Sequence, residues 1–112
     1  MILYGIPNCD TVRKARKYLT EQGVDYTFHD FRKEPLAITT LEQWLKRQPI
    51  EVIVNKRSTG WKQLTEVQKE QLMQGKQLNL LSEIPTLIKR PVLDSDSHLI
   101  FGFKEAEYQA LS

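Results

Sequence analysis

The spacing of apolar residues changes from strand-like to helix-like within the first part of the chain. The apolar run Met1 to Tyr4 predicts a short strand. Apolar positions then recur every three or four residues, which predicts an amphipathic helix from Asp10 to Gln22. Gly23 follows, and glycine often ends helices because it adopts a left-handed conformation without strain. Alternation over residues 24–31 predicts a second strand, which lies parallel to the first if a helix connects them.

Much of the middle of the chain, about residues 37–85, has helical spacing, with a loop predicted from composition at residues 55–60. Thr39 and Glu42 have the spacing of a capping box ahead of one helix. Thr65 and Gln68 have the same spacing ahead of another. We therefore predict a helical insert between two parts of a sheet.

The last part of the chain combines two strands and a helix. Turn-forming residues 94–97 separate two short apolar segments, which predicts a hairpin. Pro91 stands at the start of the first segment, where its missing N–H does not interrupt a sheet. Helical spacing after Phe103 predicts a final helix. The order β-α-β, helical insert, β-β-α predicts an α/β fold with a mixed four-stranded sheet, in a single domain over residues 1–112.

Composition and charge exclude several classes of protein. The 112 residues suffice for one hydrophobic core. Sixteen basic and fourteen acidic residues give a net charge of +2, without the basic excess typical of nucleic-acid binding. No segment approaches the roughly 20 apolar residues of a membrane span, and no His, Cys or carboxylate cluster has the spacing of metal ligands. We expect no nucleic-acid partner, no membrane association, no metal and a monomer.

The chain has one cysteine, Cys9, which excludes an intramolecular disulfide. Together with an N-terminus that lacks a signal sequence, this favours a reducing, cytoplasmic location. Cys9 lies where the first strand gives way to the first helix. The unpaired N–H groups and the dipole of a helix N-terminus stabilise a thiolate there, as do basic neighbours such as Arg13 and Lys14. The alternative is a buried structural cysteine.

Two segments, YGIPNCDT at 4–11 and IKRPV at 88–92, resemble the arsenate reductase (ArsC-like) family of the thioredoxin fold. Within it, the chain is most similar to the YffB-type branch, beside the Spx regulators. The resemblance extends over essentially the whole chain. It implies a cysteine thiolate that attacks an oxyanion or accepts glutathione within an anion-binding loop.

The resemblance also assigns roles to residues of this chain. Cys9 matches the nucleophile, and Arg90 matches an arginine that pairs with the bound anion through its planar fork. The N–H groups of Asp10 and Thr11 would line the anion site. Pro91 matches a cis-proline beside the cysteine. Asn8, directly before the nucleophile, is included in the predicted anion site.

Some residues depart from the family pattern. An arginine of arsenate reductases falls at Asn55, although Arg57 is close enough in sequence to replace it. Another falls near Phe103, and a histidine before the nucleophile is replaced by Gly5. Each lost charged hydrogen bond is worth roughly 1.5 to 3 kcal/mol, so we do not expect arsenate to be the main substrate. Position 12 is valine, so there is no C-x-x-C motif.

These observations support three hypotheses. The first is a single-cysteine thiol oxidoreductase with no tightly bound cofactor, whose covalent intermediate at Cys9 is resolved by glutathione or glutaredoxin. The second is an Spx-like transcriptional regulator that binds RNA polymerase without turnover. The third is an arsenate reductase coupled to glutaredoxin, with a rebuilt anion site.

Overall fold

The two ends of the chain build one four-stranded sheet. The computed structural model describes residues 1–111, and its strands are β1 (Ile2–Gly5), β2 (Thr27–Asp30), β3 (Val92–Asp94) and β4 (Leu99–Phe101). Their order across the sheet is β2-β1-β3-β4. β1 runs parallel to β2 and antiparallel to β3, which pairs antiparallel with β4. The predicted α/β fold with a mixed four-stranded sheet is confirmed.

The chain divides into two compact units. The first contains Met1–Glu34 and the residues from Arg90 onward, and it includes the sheet. The second is Pro35–Lys89, and the predicted helical segment 37–85 falls inside it. Among the described residues, no helix has the length and apolar character that crossing a membrane requires.

Helix α1 (Asp10–Glu21) supplies much of the core of the first unit. Its apolar residues Val12, Ala15 and Leu19 are spaced three and four apart, so they share one face and all are buried. The core cluster is formed by Leu3, Ala15, Leu19, Leu93, Ile100 and Tyr108. Tyr108 belongs to the last helix, which covers Glu105–Gln109. The sheet and α1 thus fix each other through apolar burial, which positions the start of α1.

The second strand is shorter than predicted. The pattern predicted residues 24–31, whereas β2 covers Thr27–Asp30. The N–H of Val24 instead donates to the carbonyl of Leu19 at 2.9 Å, next to Gly23 with its positive φ of 68°. This hydrogen bond belongs to the end of α1. Val24 is therefore used to close the helix and not to begin the strand.

The second unit consists mainly of short helices. Helices α2 to α6 are Ile38–Arg47, Ile50–Ile53, Thr59–Lys62, Glu66–Met73 and Asn79–Glu83, followed by a 3₁₀ turn at Pro85–Leu87. The only isolated bridge among the described residues pairs Val54 with Ile88, and the N–H of Lys89 donates to the carbonyl of Ile53 at 2.9 Å.

One of the two predicted capping boxes is present. The Gln68 N–H donates to the Thr65 hydroxyl at 3.1 Å, and the Thr65 N–H donates to Gln68 Oε1 at 2.9 Å, which confirms the second box. The predicted box at Thr39 is wrong, because the N-cap of α2 is Ala37, two residues earlier, and the helix begins at Ile38. The Ala37 carbonyl already accepts hydrogen bonds from the N–H groups of Thr40 and Leu41, so Thr39 lies inside the first turn.

Candidate active site

The sheet register brings the two sequence motifs to the same edge. β1 ends at Gly5, and the loop after it leads to Cys9, which directly precedes α1. Because Tyr4 pairs with Val92 in antiparallel register, the residues just before Val92 lie opposite those just after Tyr4. Residues 90 and 91 are therefore neighbours of the Cys9 loop, although they are about eighty residues away in sequence. A loop anchored on a rigid sheet is a common location for binding and catalytic residues.

The Cys9 loop is closed by backbone hydrogen bonds. The N–H of Cys9 donates to the carbonyl of Ile6 at 3.2 Å, and its own carbonyl accepts from the N–H of Arg13 at 3.0 Å. Cys9 keeps extended backbone angles, with φ −99° and ψ 128°, as N-cap residues do. Its side chain is half-buried and forms no disulfide. The sulfur is thus held at the start of α1 and remains partly accessible.

The environment of the sulfur favours a thiolate. Burial by itself raises the pKa of the Cys9 thiol, but the amide of Val12, the guanidinium of Arg90 and the amide of Thr11 stabilise the negative charge and outweigh it. The net effect holds the pKa below that of an ordinary cysteine. Cys9 makes no side-chain capping hydrogen bond, and the amides stabilise the thiolate as part of the positive end of the helix dipole. A lowered pKa increases the fraction of the reactive form at neutral pH.

Arg90 has unused hydrogen-bonding capacity beside this thiolate. Its Nε and Nη1 atoms are buried and have no hydrogen-bond partner among the described residues. An unpaired buried donor costs roughly 1–3 kcal/mol, and more when the group is charged. A planar guanidinium suits tetrahedral oxyanions and carboxylates. The arrangement can therefore hold an anionic group next to the Cys9 sulfur.

The peptide bond between Arg90 and Pro91 is cis, as the resemblance implied. Pro91 is buried, and its carbonyl accepts a hydrogen bond from the Gly102 N–H at 2.8 Å. This contact ties Pro91 to the hairpin of β3 and β4. It fixes the backbone that carries Arg90.

Two amides at the start of α1 act on the sulfur. The amides that lower the pKa of Cys9 belong to Thr11 and Val12, and the lining of an anion site by the Asp10 and Thr11 amides stays a prediction. Since an N-cap side chain is approached by the second and third amides of its helix, the capping rule could have identified Val12. The Asp10 carboxylate accepts a hydrogen bond from the Arg13 guanidinium at 2.6 Å on the exposed side of α1.

The remaining predicted site residues are Asn8, Asn55 and Arg57. Asn8 is exposed in the loop before Cys9. Asn55 and Arg57 belong to the second unit, where the Asn55 side chain accepts from the Arg57 N–H at 3.0 Å and the Asn55 carbonyl accepts from the Ser58 hydroxyl at 2.8 Å. Asn55 thus shapes the turn ahead of α4. The Arg57 side chain is exposed and has no partner within residues 1–111, and its role in anion binding stays a prediction.

Gly5, which replaces the histidine of arsenate reductases, has no space for a side chain. A Cβ atom at Gly5 would lie 2.8 Å from Cγ2 and 3.1 Å from Cγ1 of Val12. Val12 is fully buried and β-branched, so it has little freedom to move away. The close approach of β1 to α1 therefore requires glycine at this position.

The contact between Gly5 and Val12 gives a testable prediction. Gly5→Ala is expected to lower the free energy of unfolding by about 1–3 kcal/mol, because the added methyl overpacks against Val12. Denaturant unfolding of both proteins measures the loss. The control is the same substitution in a Val12→Ala background, where the methyl has space and the loss should be smaller. An equal loss in both backgrounds would show that Val12 is not the cause.

Comparisons with known proteins agree with this geometry. A family model described as the ArsC family matches residues 4–111. An uncharacterized protein from Haemophilus influenzae is 44% identical over 108 residues, 96% of this chain and 95% of that protein. The global transcriptional regulator Spx 1 of Lactococcus lactis is 32% identical over 96% of this chain and 85% of the regulator. A solved YFFB protein superposes with a TM-score of 0.89 at 37% identity, over 97% of this chain and 96% of the other. The family model matches nearly the whole chain, and the thioredoxin-like fold brings the motif at 88–92 beside the motif that contains Cys9. The chain therefore belongs to the ArsC family.

Proposed function

We propose that this protein is a glutathione-dependent thiol oxidoreductase that acts through a covalent intermediate at Cys9. One observation carries the proposal: Arg90 presents buried, unpaired donors beside a cysteine whose pKa is lowered. A purely structural cysteine has no need of such a neighbour, and an uncompensated buried guanidinium is costly. An anionic substrate or co-substrate would satisfy Arg90 at the point where the sulfur reacts.

The proposed reaction consists of two thiol–disulfide exchanges. In the first, the Cys9 thiolate attacks a sulfur of a substrate disulfide that contains glutathione, so that a Cys9–glutathione bond forms and the substrate bond breaks. The substrate leaves as a thiolate and takes up a proton from solvent. In the second, the thiolate of another glutathione attacks the glutathione sulfur of the adduct. Glutathione disulfide is released and the Cys9 thiolate is restored.

The second thiol of this reaction has to come from outside the chain. Cys9 is the only cysteine, and position 12, where a C-x-x-C motif has its second cysteine, is a buried valine. An internal dithiol is thereby excluded. Free glutathione or glutaredoxin supplies the missing thiol in this proposal.

Mass spectrometry and a turnover assay together test the proposal. Incubation with glutathione disulfide should add one glutathione at Cys9, and added glutathione should remove it. Reduction of a glutathionylated peptide should then depend on both the protein and glutathione. A Cys9 thiol that stays unmodified under these conditions would refute the proposal.

The similarity to Spx 1 favours a second candidate, a regulator without turnover. The match covers nearly the whole chain at 32% identity, and Spx 1 is a global transcriptional regulator. In this case the chain would bind RNA polymerase constitutively, because a redox switch based on C-x-x-C is absent. Retention of RNA polymerase on the immobilised protein, without glutathione-dependent turnover, would favour this candidate. Turnover without retention would eliminate it.

A further inference from the structure

An open depression of about 340 Å³ lies next to the residue that precedes Cys9. It is lined by Pro7, Asn8, Asp30, Arg32 and Lys33. The first two belong to the Cys9 loop and the others to the end of β2 and the turn after it. Because β1 and β2 are parallel, with Gly5 paired to Asp30, both segments leave the sheet at the same edge.

The turn after β2 is held in place by backbone contacts. The Phe31 N–H donates to the carbonyl of Gly5 at 3.2 Å, which ties this turn to the end of β1. The Glu34 N–H donates to the carbonyl of Asp30 at 3.0 Å and closes the turn. The two residues at its tip, Arg32 and Lys33, therefore have a fixed backbone beside the Cys9 loop.

The charges that line the depression favour an anion. Arg32 and Lys33 are exposed, and within residues 1–111 neither side chain has a hydrogen-bond or ion-pair partner. The one acidic residue of the lining, Asp30, accepts a hydrogen bond from the Arg32 N–H at 3.0 Å, so part of its capacity is used within the turn. Two cationic groups and one carboxylate leave a net positive lining.

We propose that this depression binds a carboxylate of the thiol that exchanges with Cys9, so that Arg32 and Lys33 select anionic thiols over neutral ones. The inference rests on the proposed function and names the class of its co-substrate. Asn8 lines the depression and is the direct neighbour of Cys9. In glutathione one peptide unit separates the sulfur from the glycine carboxylate, and the lining of the depression begins one residue from Cys9.

In this proposal the two residues position the co-substrate and do not take part in bond exchange. The Cys9 thiolate attacks one sulfur of glutathione disulfide, a Cys9–glutathione bond forms, and the original disulfide bond breaks. The departing glutathione leaves as a thiolate and takes up a proton from solvent. Arg32 and Lys33 raise the local concentration of the anionic disulfide and orient it.

The test compares two disulfides as probes. The rate of adduct formation at Cys9 is measured by mass spectrometry with glutathione disulfide, which is anionic, and with hydroxyethyl disulfide, which is neutral. In Arg32→Ser/Lys33→Ser we expect the rate with glutathione disulfide to fall about tenfold, while the rate with hydroxyethyl disulfide is unchanged. Salt at about 0.5 M should reduce the preference of the unaltered protein for glutathione disulfide over hydroxyethyl disulfide, because it screens exposed charges.

The matched control is Lys17→Ser/Lys104→Ser, which removes two exposed positive charges outside the depression. An equal loss of preference in this control would overturn the proposal in favour of a general charge effect. The proposal would also be overturned by an unchanged preference in Arg32→Ser/Lys33→Ser, or by an equal loss of rate with both disulfides.

If the unaltered protein reacts with neither disulfide, the proposed function fails. If it reacts with both disulfides and only the preference test fails, the carboxylate site in the depression is refuted and the proposed function stands.

Discussion

Cys9→Ser abolishes glutathione-dependent turnover and adduct formation, with an expected loss of about 10³-fold or more. Serine changes one atom, but its hydroxyl is not ionised at neutral pH and is therefore a weak nucleophile. The fold should be retained, because the Cys9 side chain makes no close capping hydrogen bond. Turnover is measured with a glutathionylated peptide, and the fold by circular dichroism.

A displaced cysteine provides the control for this result. Cys9→Ser/Gln63→Cys restores one thiol at an exposed position of the second unit. This thiol should form adducts slowly, with the pH dependence of an ordinary cysteine, and should not support turnover. Turnover equal to that of the unaltered protein would mean that any exposed thiol suffices.

Arg90→Met should lower the reactivity of Cys9 and at the same time spare the stability of the fold. Removal of the guanidinium takes away a positive group that stabilises the thiolate, so the pKa of Cys9 should rise. Because the thiolate is the reactive form, alkylation at about pH 6.5 should slow roughly 10- to 100-fold and recover at alkaline pH.

The stability of this variant separates a site residue from a structural one. Methionine has no donors to bury, so the cost of the unpaired Nε and Nη1 atoms disappears. At about pH 5.5, where an ordinary thiol is protonated, the free energy of unfolding should equal or exceed that of the unaltered protein. Arg90→Lys keeps the charge and loses the planar fork. In this variant the pKa of Cys9 should lie between its values in the unaltered protein and in Arg90→Met. A large loss of stability in Arg90→Met with an unchanged pKa would assign Arg90 to the fold.

Much of the fold follows from local patterns. The helical spacing of Val12, Ala15 and Leu19 predicted the buried face of α1, and Gly23 predicted its end. Strand limits were less accurate, because they depend on pairing partners and on N–H groups such as that of Val24, which closes the helix. Side-chain spacing also misplaced the start of α2, since the Ala37 carbonyl begins the helix before Thr39.

The site was only partly predictable for a different reason. The position of Cys9 at a helix start was evident from the sequence, and the resemblance pointed to Arg90 and Pro91. The burial of individual nitrogen atoms of Arg90 depends on the packing of side chains distant in sequence, and no local pattern encodes it. The contact between Gly5 and Val12 has the same origin, because it depends on how closely a strand and a helix approach.

The proposed role of Cys9 depends most directly on its ionisation, which the pH dependence of alkylation by iodoacetamide measures. The rate of modification, followed by mass spectrometry between about pH 4 and 10, reports the fraction of thiolate. The environment of the sulfur predicts a midpoint below that of an ordinary cysteine, which is about 8.5. A midpoint at or above about 8.5 would contradict the proposed role of Cys9 as the nucleophile.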